Sequence, residues 1–379
     1  MGRSYEVVVA GLGVMGAAVA HELAKRGVRV LAVDRYRPPH TLGSSHGETR
    51  IIREAYFEHP LYVPLVRRAI DLWTTMGRDA GIELLRQTGA LALGSSDGRL
   101  VTGTLESARV HGVPHEVLSA GQVRERFPHL DPPDQCIAVL EHRAGVLLAE
   151  PCLEVLLGLA ARAGAEIRFD DPIVSWERSD KGLIYRTATE ELPCGRIVLA
   201  AGPWTPALLT ANGLAVPSGM EVERQVVAFF EAETGGGADG PIVLWEHEPG
   251  RMFYMLPDGR GGVKAGIHHD GGPYDPDTAD RSVRDADLDR ITSLYYRLAP
   301  GAPATIRGSS VCLYTNMPDG HFLIDEHADE RNLIVASACS GHGFKFAPAL
   351  SPLVADLAIR HPPGPESEPF RWRSERLPA

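Results

Sequence analysis

The chain has 379 residues, 44% hydrophobic and 23% charged, with 38 Lys and Arg against 49 Asp and Glu for a formal charge of −11. That length is enough for two sizeable cores, and the acidic balance argues against nucleic acid as a partner, because phosphate binding needs a basic face. An anionic small molecule stays open, provided that local Arg or Lys side chains create a positive pocket.

The N-terminal segment reads as a βαβ unit. Tyr5–Ala10 is an apolar strand, Gly11-Leu-Gly-Val-Met-Gly16 a turn, and a small-residue helix runs to about Lys25; Gly27 stops it and Val28–Val33 forms the second strand. A loop rich in Pro, His, Gly and Ser follows from Pro38 to Gly47, and Leu65, Val66, Ala69, Ile70 and Trp73 then recur at helical spacing. From about Gln87 the pattern changes to short strands with turn signals, becomes αβ again near Gly164–Val174, and reaches a buried strand ending in a glycine turn within Arg196–Trp204. A Gly-rich loop at Gly235–Gly237 precedes alternating segments up to about Tyr274. Asn332–Ser337 is a strand, Ser340–Phe346 a glycine-containing turn, and a helix extends through about Ile359; the Pro-rich remainder is expected to run over the surface.

These αβ segments at start, middle and end predict an α/β fold: a discontinuous Rossmann-like nucleotide-binding domain (residues 1–86, 146–216 and 315–379) with a β-rich substrate-binding domain of mixed or antiparallel sheet (87–145 and 217–314) threaded through it. The five cysteines, Cys136, Cys152, Cys194, Cys312 and Cys339, are odd in number and scattered without a C-x-x-C pair, which fits a reducing compartment. No charged segment followed by a short apolar one opens the chain, and no apolar run is long enough to span a bilayer. A cytoplasmic enzyme with no membrane partner and no metal is the expectation.

Gly11, Gly13 and Gly16 form G-x-G-x-x-G directly after a strand and at the mouth of a helix. Such glycines permit a tight turn, close backbone approach to a pyrophosphate and close helix–strand packing, while the helix N-terminus offers free N–H groups and a positive dipole end. Val14 and Met15 sit inside the motif, and Asp34, followed by Arg35, ends the second strand, where a carboxylate can accept from a ribose hydroxyl. The fingerprint does not choose between NAD and FAD.

Three further segments do. Pro38–Arg53, Val311-Cys-Leu-Tyr-Thr315 and Ser340-Gly-His-Gly-Phe-Lys-Phe346 resemble the monomeric sarcosine oxidase family, within the broader D-amino-acid-oxidase class that includes N-methyltryptophan and pipecolate oxidases, and the similarity runs essentially from end to end. The resemblance implies FAD attached covalently, and oxidation of a secondary amine on a small amino acid by O2 to an imine and hydrogen peroxide, by a monomer. A free cysteine is ordinarily a small core residue; the resemblance implies instead that Cys312 carries the thioether link to the flavin. It also implies that Arg53 and Lys345 bind the substrate carboxylate, for which Arg supplies a planar fork and Lys a point charge. A solvated surface pair is the plain alternative, but Lys345 is wedged between Phe344 and Phe346, an expensive place for an unpaired charge.

Gly262-Val-Lys-Ala-Gly-Ile-His268 alternates, so Val263, Ala265 and Ile267 share one face and Lys264, Gly266 and His268 the other. A hairpin with a solvated polar face accounts for the same pattern. The resemblance implies that Lys264 assists reaction with oxygen near the flavin, where a cation favours developing negative charge, and that His268, Tyr254 and Tyr314 line the substrate cavity; buried tyrosines with satisfied hydroxyls are also common structural residues. Ser44, His46, Thr49 and Arg50 match the loop that approaches the flavin, with Arg50 grouped among the catalytic residues. Val174, Ala201, Gly202 and Trp204 match further cofactor contacts, as do Gly341, Gly343 and Phe344. Gly341 and Gly343 are expected to open the last helix, Gly341 also facing substrate, and Tyr56 and Glu58 to lie in a lid segment, Tyr56 touching substrate. The chain departs from the usual pattern at Ala338-Cys339, where the resembling sequences have Gly-Phe, and at Glu54 and Phe57; these flank the expected cavity and leave substrate size open. The rival readings are oxidation of a bulkier or cyclic secondary amino acid, a dehydrogenase with an acceptor other than oxygen, and a catalytically silent flavoprotein; an NAD-dependent enzyme explains the glycines but none of the C-terminal motifs.

Overall fold

The computed structural model describes residues 4–180, 182–232, 237–278, 280–303 and 305–373. Its fold is α/β with parallel and antiparallel sheets. In the first, eight-stranded sheet, Tyr5–Ala10 lies between Val30–Val33 and Glu191–Leu199, parallel to both. Glu166–Arg168 extends the parallel run beyond Val30–Val33, and Leu333–Ser337 extends it beyond Glu191–Leu199. Parallel strands are covered on both faces. On one side helices Val14–Lys25, Tyr62–Ala80, Ala149–Arg162 and Ala347–Ala358 join the largest apolar cluster; on the other, Trp176, Tyr185 and Leu209 close the sheet.

The second sheet is mixed, with the order Ile306–Asn316, Glu221–Glu231, Gly262–His268, Arg251–Pro257, Ile242–Glu248, Ala90–Gly94, Ile137–Glu141 and His115–Ser119. All its neighbours run antiparallel except Ala90–Gly94 beside Ile242–Glu248. Strand periodicity divides its residues between two environments. Ala228, Phe230, Phe253, Val263, Ala265 and Ile267 pack beneath helix Asp285–Leu298, where the Phe230 and Tyr295 rings stack at 4.1 Å. Gln225, Tyr254, Lys264, His268, Cys312 and Tyr314 face the opposite way, onto a cavity. A small third sheet pairs Gly145–Leu148 with Thr49–Ile52 and Leu85–Gln87. It lies where the chain passes between the two larger sheets, so these strands straddle the divisions expected at 86/87 and 145/146; Ile306–Asn316 likewise runs past 314.

Several elements differ from the sequence reading. The second strand starts at Val30, because the Val28 N–H still closes the helix end onto Leu23 O at 3.2 Å. Gly341 and Gly343 precede a 3-10 turn, Phe344–Phe346, and the α-helix begins only at Ala347, with Pro348 in its first turn. Gly235 and Gly236 lie outside the described residues, while Gly237 is described. The segment after Ile359 is not wholly superficial: Pro365–Phe370 forms a 3-10 turn that buries Phe370 against Tyr62 and Phe322, at ring separations of 6.0 and 5.5 Å. One aromatic anchor outweighs the prolines around it. Among the described residues no helix is long and apolar enough to cross a membrane, and no group of three or more His, Cys, Asp or Glu could hold a metal ion. Phe370→Ala is expected to cost about 3 kcal/mol or more in urea unfolding; an unchanged midpoint would return this segment to the surface.

Candidate active site

A cavity of about 580 Å³ runs between the two large sheets, within the usual range for cofactor and small-molecule sites. Every residue named above as a cofactor or substrate contact lines it except Gly16 and Tyr56, which lie behind the wall. Gly16 is a packing position: a Cβ there would fall 1.8 Å from Gly11 O. Gly11, at φ +97°, also approaches Ala200 closely, and its own Cβ would meet Ala200 O at 2.5 Å.

At the nucleotide-turn end, the buried Asp34 carboxylate accepts from Leu12 N at 2.6 Å and Tyr36 N at 2.8 Å, joining the glycine turn to the end of the second strand. Burial raises its pKa against those two hydrogen bonds. Ser45 Oγ accepts from Val14 N at 3.0 Å at the helix mouth. Arg35 and the Trp204 indole both donate to Asp277 Oδ1, at 2.6 and 2.8 Å, so the loop after the second sheet's strands touches this end.

In the middle, residues Ser44–Arg50 wrap around two cations. Arg50 donates to Thr49 O and Ser44 O, each at 2.9 Å, and to His46 O, and its guanidinium lies 3.5 Å from Cys312 Sγ. Lys264 Nζ donates to Gly47 O at 2.9 Å and Thr49 O at 2.8 Å. Glu150 holds the same loop from its other side, accepting from Gly47 N at 2.7 Å and Glu48 N at 3.2 Å; Glu48 has φ +67°, a strained setting for a residue with a Cβ. Burial, then Arg50, lowers the Lys264 pKa to about 7, and burial, Arg50 and Lys264 lower that of His46 to about 3.

At the far end, Arg53 donates to both oxygens of Glu58, at 2.6 Å to Oε1, and to Ala55 O at 3.3 Å, with its guanidinium 4.1 Å from the Tyr56 ring. Burial works against both charges, but each holds the other ionised, leaving the Glu58 pKa below its ordinary value. Lys345 donates to His342 O at 2.6 Å and to the Tyr56 hydroxyl at 3.2 Å; burial, then Arg53, brings its pKa down to about 7. Burial, then His269, holds the His268 pKa well below its ordinary value, so this ring is neutral, and burial raises the pKa values of Tyr254 and Tyr314. Gly266 makes room for the Tyr254 hydroxyl, and Gly341, at φ +73°, for His268 and Tyr314: a Cβ on either would lie within 2.8 Å of them.

Tyr56, expected at the substrate, is fully buried and does not line the cavity; it touches the lining residues Arg53, His342 and Lys345 from behind. Gln225, Ser337, Met252, Asp277 and His342 line the cavity without having been singled out. The only sequence signal for Gln225 was a polar residue within an otherwise strand-like run; the pairing that sets it opposite Cys312 joins distant segments.

The wall fits an extended, hydrogen-bonding dinucleotide such as FAD. His46 Nε2, Gln225 Nε2 and Ser337 Oγ are buried on it with no hydrogen-bond partner among the described residues. Buried polar atoms are rarely left so, and all three belong to residues that line the cavity.

Comparison with known proteins agrees with this geometry. The family profile described as DAO, FAD dependent oxidoreductase, matches residues 6–357. A monomeric sarcosine oxidase of Streptomyces avermitilis is 39% identical over 95% of this chain and 94% of its own length. One from Bacillus sp. (strain NS-129) is 36% identical, covering 94% of each, and an N-methyl-L-tryptophan oxidase of Yersinia pestis is 33% identical over 94% and 96%. Among solved structures, NikD, an unusual amino acid oxidase essential for nikkomycin biosynthesis, superposes with a TM-score of 0.85 at 24% identity over 100% of both chains, which is a likeness of fold. L-proline dehydrogenase from P. horikoshii does so with a TM-score of 0.85 at 22% identity over 97% and 96%. The chain belongs to the FAD-dependent oxidoreductases of the DAO family, in the branch that holds the monomeric sarcosine and N-methyl-L-tryptophan oxidases.

Proposed function

We propose that this enzyme oxidises the N-methyl carbon of sarcosine, or of a similarly small secondary amino acid, to an imine that water hydrolyses to glycine and formaldehyde in the sarcosine case, while O2 is reduced to hydrogen peroxide. The observation that carries the reading is the pair of buried cations, Arg53 and Lys345, at one end of a cavity whose other end is built on a dinucleotide-binding turn. FAD, when bound, supplies the acceptor for the two electrons and hydrogen of the substrate C–H bond and passes the electrons to O2.

Arg53 and Lys345 receive the substrate carboxylate, which displaces Glu58 from the Arg53 fork. Neutral His268 and un-ionised Tyr254 and Tyr314 complete that end without adding charge. None of these three side chains is a carboxylate base, and in this reading the substrate enters with its nitrogen already deprotonated. Orientation is the main contribution of this end of the site. Lys264, held by two carbonyl oxygens with one N–H to spare, favours negative charge developing on oxygen. Cys312, with the Arg50 guanidinium beside its sulfur, is the residue we assign to the covalent thioether link. A larger secondary amino acid is the second reading, favoured by the N-methyl-L-tryptophan oxidase relatives and by Cys339 in the wall, where the resembling sequences carry the larger Phe.

Anaerobic titration with sarcosine, N-methyltryptophan, pipecolate and proline separates these readings. Bleaching of the flavin by sarcosine, and peroxide under air, is expected; bleaching by bulkier amines alone moves the substrate, bleaching without peroxide moves the acceptor, and no bleaching sinks amine oxidation altogether. Acid precipitation should leave the yellow colour in the pellet for the wild type and in the supernatant for Cys312→Ser; colour in the wild-type supernatant removes the covalent link. Lys264→Met should slow reoxidation by O2 about 100-fold with little change in reduction by substrate, and equal slowing of both half-reactions would take Lys264 out of the oxygen step.

A further inference from the structure

Behind the cationic end of the cavity a hydrogen-bond chain leads away from Lys345. Its ammonium donates to the Tyr56 hydroxyl at 3.2 Å; that hydroxyl lies 2.8 Å from His342 Nδ1, and His342 Nε2 lies 3.0 Å from Gly320 O. The direction of the chain follows from its far end. A carbonyl oxygen only accepts, so His342 carries its hydrogen on Nε2. Burial holds the His342 pKa down to about 4, so near neutral pH the ring bears a single hydrogen and Nδ1 is an acceptor. The Tyr56 hydrogen is therefore committed to Nδ1, and its oxygen turns lone pairs towards Lys345.

We propose that Tyr56 and His342 are positioning residues that favour the ammonium form of Lys345, the form that receives the substrate carboxylate, by forcing the Tyr56 hydroxyl to accept from it. The inference rests on the reading that Lys345 receives that carboxylate. Without the Nδ1 acceptor, the Tyr56 O–H is free to donate to a neutral Lys345 amine, and the uncharged form gains the hydrogen bond that the ammonium loses. The setting makes this bond decisive. Arg53 and Arg50 oppose a charge on Lys345, Glu58 favours it but is engaged by Arg53, His268 is neutral, and burial disfavours the ion.

The test is calorimetric binding of methoxyacetate, which keeps the sarcosine carboxylate and chain length but has an ether oxygen in place of the oxidisable amine. Its carboxylate is ionised throughout the neutral and alkaline range. In the wild-type holoenzyme, Kd should rise about tenfold per pH unit once pH exceeds the Lys345 midpoint. His342→Leu should leave Kd on the acid side unchanged and move the alkaline rise about one pH unit lower, weakening binding about fivefold at pH 7 and about tenfold well above the wild-type midpoint. Tyr56→Phe should do the same, and the double variant should shift no further. His342→Asn, whose Oδ1 can stand in for Nδ1, should restore most of the wild-type profile, which a merely structural loss would not allow. Lys345→Met should flatten the alkaline rise. If Lys345→Met instead leaves Kd and its pH dependence unchanged, the carboxylate reading itself fails. If Lys345→Met flattens the profile while His342→Leu and Tyr56→Phe keep the wild-type one, the positioning chain is overturned.

Discussion

The constraint on which the site depends is the burial of positive charge. Arg50, Arg53, Lys264 and Lys345 surround one cavity, yet among the described residues only Arg53 has a carboxylate in direct contact, that of Glu58. Backbone carbonyls take up many of the other donors: Ser44, His46 and Thr49 on Arg50, Gly47 and Thr49 on Lys264, and His342 on Lys345 beside the Tyr56 hydroxyl. Carbonyl dipoles satisfy hydrogen bonds without cancelling charge. The cavity stays electropositive inside a chain whose net charge is −11, which is the local field an anionic group needs when the surface as a whole repels it.

Holding so many donors on main-chain oxygens requires the loop that carries them to adopt one shape. Glu150 binds two N–H groups of Gly47 and Glu48 on one side while Lys264 binds carbonyls of the same loop on the other, and Arg50 folds back across it. The left-handed Glu48 is tolerated because these contacts over-determine it. Lys264 reaches the loop because the second sheet divides its residues by strict alternation, apolar side chains towards helix Asp285–Leu298 and functional ones towards the cavity. A one-residue slip in register would exchange the two sets.

Legibility in the sequence followed the range of the interactions. The βαβ opening and the Gly262–His268 alternation depend on periodicity within a few residues, and the structure has the strand, the turn, the helix and the two-faced strand there. The family resemblance named residues that line a single cavity although they come from distant segments. Contacts made only by folding were not readable. Phe370 is a core residue because Tyr62 and Phe322 leave a place for it. Tyr56 stands behind Lys345 rather than on the cavity, and the grip of Glu58 on Arg53 depends on a loop turning back on itself. Nor does composition forecast that Asp277 meets both Arg35 and Trp204.

The lowered pKa values of Lys264 and Lys345, each about 7, also set the proton stoichiometry of the site. Each side chain is partly deprotonated at neutral pH. An anion that settles beside either nitrogen favours the ammonium, so occupation of the cavity draws protons from solution. The heat of such an event then includes the ionisation enthalpy of the surrounding buffer, and the same ligand yields different apparent enthalpies in phosphate and in Tris. The slope of that difference counts the protons taken up.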